Sequence, residues 1–100
     1  MMNLKISALE FVEEAKNGNI SVEDFIGKTL ERIDSVEDKL HALLSINDKA
    51  LDQARELDKK IRSGEDVGAC FGMPISIKDN MCIKDTKTTC ASKMLENFIA

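Results

Sequence analysis

Apolar side chains recur three and four residues apart through the first two-thirds of the chain, a rhythm that predicts helices. Ser7-Ala8-Leu9-Glu10 has the form of a capping box, in which the serine oxygen caps a free amide and Glu10 reaches back. Ile6, Leu9, Val12 and Ala15 follow as a short stripe until Asn17-Gly18-Asn19 stops it, giving a helix over residues 8–17. Ser21, followed by the acidic pair Glu23-Asp24 where the helix dipole favours negative charge, opens a second helix over 22–36. Val22, Phe25, Ile26, Leu30 and Ile33 line its apolar face, and the Glu and Arg residues opposite form a solvated one. Asn47 or Asp48 caps a third helix over 48–62, carrying Ala50, Leu51, Ala54, Leu57 and Ile61 and ending at Ser63-Gly64.

Between these helices, His41-Ala-Leu-Leu-Ser-Ile46 is short, apolar and bounded by polar residues. Its length favours a buried strand over 41–46, although periodicity alone does not decide. From Gly68 the texture changes. Gly72-Met-Pro-Ile-Ser-Ile-Lys-Asp-Asn80 reads as a turn entering a strand over 74–79, with Pro74 at the start, where its missing N–H is tolerated. Alternation along such a strand places Ile75 and Ile77 on one face, Ser76 and Lys78 on the other. Thr86-Lys-Thr-Thr-Cys90 is β-prone, and Ser92 caps a last short helix through Phe98. Helix, helix, strand, helix, strand is the order of an α/β layer fold still being laid down.

Composition narrows the class. No apolar run exceeds three residues, far short of a membrane span, and no basic stretch followed by an apolar one opens the chain as a secretory signal. Three Cys without a C-x-x-C pair fit small core residues in a reducing cytosol better than a disulfide framework. One His is too few for a self-contained zinc site, and no other metal or cofactor set is present. Residues 1–67 hold 10 Lys and Arg against 15 Asp and Glu, while 68–100 hold 4 against 3, so no basic face for nucleic acid exists.

Spacing alone yields little chemistry: there is no glycine-rich phosphate loop, no G-x-S-x-G and no paired His. His41 reads as a structural or surface residue. Lys78, near the end of a strand, is the one titratable group set in an apolar segment. It is either an edge-strand lysine that blocks aggregation or a lysine kept dry enough to lose its proton. Lowering a lysine pKa from about 10.4 to about 7 takes roughly 4–5 kcal/mol of desolvation or like-charge repulsion. Asp79 would oppose that change through an ion pair, but alternation turns it to the other face.

Gly72-Met-Pro-Ile-Ser-Ile-Lys-Asp-Asn80 and Thr88-Thr-Cys-Ala-Ser-Lys-Met-Leu-Glu-Asn-Phe98 resemble the amidase signature family. The second stretch is the more specific, and it is similar to the glutamine-hydrolysing subunits of tRNA-dependent amidotransferases within that family. The resemblance implies helices covering a mixed sheet, of which residues 1–100 form an N-terminal, incomplete fragment of a single amidase domain. It further implies a Ser–Ser–Lys acyl-transfer site in which Lys78 is the terminal base, relaying a proton through one serine to the nucleophilic serine. Both serines belong to a Gly/Ser-rich segment further along such chains; Ser76 and Ser92 match neither, so residues 1–100 alone are expected to be inactive. The implied substrate is glutamine. The implied partners are the B and C subunits of a heterotrimer, in which a partner uses ATP and Mg²⁺ and contacts the tRNA.

Two other readings compete. Another amidase-signature hydrolase acting on a different amide is opposed by the Thr88–Phe98 stretch, and a free-standing helical interaction module would use the Val22–Ile33 face.

Overall fold

The computed structural model describes residues 3–100, and its regular structure is helical: α1 (Ala8–Lys16), α2 (Val22–Leu40), α3 (Ala50–Arg62) and one 3₁₀ turn (Lys93–Leu95). The serine caps act as their spacing dictates. Ser7 Oγ accepts the Glu10 N–H at 3.2 Å, and Ser21 Oγ accepts the Asp24 N–H at the same distance. At the end of α1, Gly18 takes a left-handed conformation (φ 77°) that a side chain would disfavour.

The core is small and lies where the helices meet. Phe11, Val12 and Ala15 of α1, Val22, Phe25 and Ile26 of α2, Ala54 of α3 and Phe71 beyond α3 are its buried members. The rings of Phe11 and Phe25 are 4.3 Å apart and tilted by 40°, a contact that adds to the area each buries. Ala54 and Gly27 let α2 and α3 approach closely, with the Leu51 side chain 4.0 Å from the place of a Cβ on Gly27.

Asp58 ties α3 to the start of α2. Its carboxylate accepts the Val22 N–H (2.8 Å), the Glu23 N–H (3.0 Å) and the Ser21 hydroxyl (2.9 Å), meeting amides that the helix itself leaves unpaired. Asp58→Ala leaves these donors without a protein partner beside the buried Val22. A loss of about 1–3 kcal/mol follows, read as an earlier urea midpoint by far-ultraviolet circular dichroism.

The structure corrects several expectations. The second helix runs to Leu40, beyond the expected end at 36, with half-buried Val36 continuing the apolar rhythm of Ile33 and Leu40 itself exposed. It stops where His41 turns left-handed (φ 48°) and donates its N–H to the Glu37 carbonyl at 2.8 Å, so His41 is a helix cap. The strand expected over 41–46 is absent: the Leu43 N–H is taken by the Glu37 carboxylate (2.8 Å), and Leu44 and Ile46 are exposed. The strand expected over 74–79 is also absent, with Ile75 69% and Ile77 43% exposed, because no described segment pairs with it. With both strands missing, no mixed sheet forms among the described residues and the fold there is helical. Among the described residues the one extended pairing is an antiparallel bridge between Lys87, in the β-prone segment, and Ile99. The helix expected from Ser92 to Phe98 shortens to the 3₁₀ turn, capped by Ser92 Oγ on the Met94 N–H (3.3 Å). Finally, Cys70, Cys82 and Cys90 are exposed free thiols and not core residues, since all three lie in the stretch after α3 that no second layer covers.

Candidate functional site

The segment after α3 is fastened to the helical core at one joint. Phe71 is buried among the core side chains, and Gly72 (φ 71°) lies so close to α2 that a Cβ there would stand 2.7 Å from Val22 Cγ2. Only glycine fits both the space and the left-handed backbone. From this joint the chain runs exposed through Pro74–Ile77 to Lys78, the candidate base.

Lys78 begins a turn. Its carbonyl accepts the Met81 N–H at 3.1 Å, and its side chain is exposed and makes no ion pair among the described residues. The turn is held from the opposite side by Thr88–Cys90. The Asp79 carboxylate accepts the Thr89 N–H (2.8 Å) and the Thr89 hydroxyl, and the Asp79 carbonyl accepts the Cys90 N–H (2.9 Å). Thr88, itself buried, donates its hydroxyl to the Met81 carbonyl at 3.4 Å. Asp79 is thus bonded to Thr89 and makes no ion pair with Lys78; the alternation expected to part the two has no strand to act through, and the Thr89 bonds do so instead.

The Thr89 hydroxyl and then the Thr89 N–H stabilise the ionised Asp79 and hold its carboxyl below the usual carboxylate range, against the opposing effect of burial. A lowered carboxyl pKa means that this contribution is present above the ordinary value near 3.9 and is lost only as pH falls through the lower folded value. The clamp therefore persists at neutral pH.

The backbone just after Thr89 is unusual. Cys90 (φ 51°) and Ala91 (φ 58°) are both left-handed without being glycine, a conformation that costs about 1–2 kcal/mol per residue. The hydrogen bond of the Cys90 N–H to Asp79 and that of the Ala91 N–H to Thr89 Oγ1 (3.3 Å) offset it. Ser76 is exposed and Ser92 caps the 3₁₀ turn, so neither is brought to Lys78. No group of three or more His, Cys, Asp or Glu side chains among the described residues is placed to hold a metal, and no helix there is long and apolar enough to cross a membrane.

The family model described as Amidase matches residues 24–100, which takes in α3, the joint and the whole clamped turn. The chain belongs to the amidase family. Within it, the chain is 45% identical over 92 residues to the A subunit of the glutamyl-tRNA(Gln) amidotransferase of Cenarchaeum symbiosum, covering 92% of this chain and 19% of that protein. It is 43% identical over 101 aligned positions to the protein of the same name from Clostridium kluyveri, covering 100% of this chain and 20% of the other. The namesake from Thermosynechococcus vestitus is 51% identical over 71 residues, covering 70% and 15% respectively. The chain thus spans about a fifth of the length of the curated relatives it matches. No solved structure matches it.

Sequence reasoning placed Lys78 in this amidase segment but missed Thr89 and Asp58. The signal for Thr89 was present as a hydroxyl residue in the β-prone stretch, without anything to pair it with Asp79 ten positions earlier.

Proposed function

We propose that the chain is the N-terminal part of the glutamine-hydrolysing subunit of a tRNA-dependent amidotransferase, with Lys78 as the terminal base of a Ser–Ser–Lys site. The observation that carries this reading is the identity of 45% over 92% of the chain to a protein named as the A subunit of a glutamyl-tRNA(Gln) amidotransferase. The family match also runs through the entire stretch after α3, which a helical interaction module has no use for.

In this mechanism a neutral Lys78 Nζ takes a proton from a bridging serine, which takes one from the nucleophilic serine. The nucleophile's Oγ attacks the side-chain amide carbon of glutamine, the C–N bond breaks, and the returned proton leaves with ammonia. Water then cleaves the glutamyl ester to glutamate. Ammonia passes to a partner that activates glutamyl-tRNA(Gln) with ATP and Mg²⁺, and the B and C subunits complete the heterotrimer. The surplus of acidic over basic residues before Gly68 suits a segment that leaves tRNA contact to its partner. The mixed sheet of the full-length protein would take up Ile75 and Ile77 and supply the burial that a base lysine needs, since Lys78 is exposed among residues 3–100.

Residues 1–100 alone should release no ammonia from glutamine above a buffer blank, because a base without a nucleophile has no acyl-enzyme route. A coupled glutamate dehydrogenase assay checks this, and measurable turnover contradicts the assignment of the serines to later residues.

A further inference from the structure

We propose that Asp79 and Thr89 form a positioning clamp that sets the direction of Lys78 in the acyl-transfer site. The inference rests on Lys78 being the base and adds two residues that act through it without touching substrate.

Lys78 has no side-chain partner among the described residues, so the course of its own backbone decides where its four-carbon stem departs. That backbone is fixed on the far side of the turn. Two bonds join the Asp79 carboxylate to Thr89, one joins the Asp79 carbonyl to Cys90, and one joins the Met81 carbonyl to the buried Thr88. Three successive residues of one segment therefore grip the turn that begins at Lys78. The left-handed pair Cys90-Ala91 reinforces the point, because a conformation that costs free energy persists only where surrounding bonds over-determine it. Committing the Asp79 carboxylate to Thr89 has a second consequence. It withdraws the nearest acid in sequence from direct pairing with the ammonium form of Lys78, a pairing that would oppose base catalysis.

A clamp of this kind predicts a rate effect and not a binding effect. Displacing a catalytic group by about 1 Å can cost as much as 10²-fold in rate. In the full-length protein assembled with its partners, Asp79→Ala and Thr89→Val should each lower kcat for glutamine hydrolysis by about 10- to 100-fold, with KM for glutamine little changed. Thr89→Ser keeps the hydroxyl and should recover most of the rate. Because both residues act through Lys78, the double variant Lys78→Ala/Asp79→Ala should be no slower than Lys78→Ala alone, where independent effects would multiply. Amidation driven by added ammonium chloride reports whether the assembly remains intact and should be unaffected.

Hydrolysis within twofold of wild type in Asp79→Ala, multiplicative losses in the double variant, or a parallel fall in ammonia-driven amidation would each overturn the clamp. Near-normal hydrolysis by Lys78→Ala overturns the base reading, and the clamp's catalytic role with it. An inactive Lys78→Ala beside an undisturbed Asp79→Ala overturns the clamp alone.

Discussion

In the full-length protein, Lys78→Ala is expected to remove nearly all glutamine hydrolysis. Losing a general base lowers rates by about 10²–10⁴, and a base coupled to two serines can cost more because the three act as a unit. The physical reason is that a serine hydroxyl is a poor nucleophile until a neighbour takes its proton, and no other base on this segment is placed to do so. His41 lies at the end of α2, outside that segment, where its backbone N–H caps the helix, and Asp79 is held in its ionised form by its hydrogen bonds from Thr89. A base that moves a proton without holding the substrate changes kcat far more than KM, and KM for glutamine should follow that pattern.

The second large effect is on stability. Phe11 is 2% exposed and packs against Phe25 at the meeting point of α1 and α2. Phe11→Ala should cost about 3–5 kcal/mol, through lost transfer free energy and the cavity left in a core too small to collapse around it. Against a typical total of about 5–15 kcal/mol, that is enough to cut the yield of folded protein sharply. Catalysis per folded molecule should change much less, since Phe11 lies in the helical core, which meets the Lys78 segment at the Phe71–Gly72 joint. Thermal melts paired with active-site titration separate the two effects. A Phe11→Ala variant that melts like wild type would show that the helical core contributes little to the whole protein.

What could be read from the sequence follows from the range of the interactions involved. The three helices were legible because their signals are local: a stripe at a spacing set by one helix and, for α1 and α2, a serine three residues before the amide it caps. Two details of that reading fail: α3 starts at Ala50 behind Lys49 with no side-chain cap, so neither Asn47 nor Asp48 caps it, and Leu9 of the expected α1 stripe is exposed while Phe11 is buried. The two strands were not, because a strand is defined by a partner. Ile75 and Ile77 alternate as a half-buried strand would, yet within residues 3–100 nothing pairs with them. Asp58 was invisible for the same reason, its three hydrogen bonds reaching residues 35 to 37 positions earlier. For Lys78, its place after the apolar Ile75 and Ile77 marked it as a candidate but left an edge-strand lysine equally open, and the motif around it decided between the two.

The most direct measurement compares two nitrogen donors on one purified Lys78→Arg complex, with charged tRNA and ATP supplied to both reactions. Arginine keeps the positive charge, but a guanidinium with a pKa above about 12 cannot become neutral at working pH and so cannot act as a base. Glutamine-driven amidation should fall by about 10²-fold or more, while ammonia-driven amidation proceeds at the wild-type rate because it bypasses the amide-cleaving site. Near-normal amidation from glutamine would make Lys78 a surface lysine and would contradict the assignment of this segment to the acyl-transfer site.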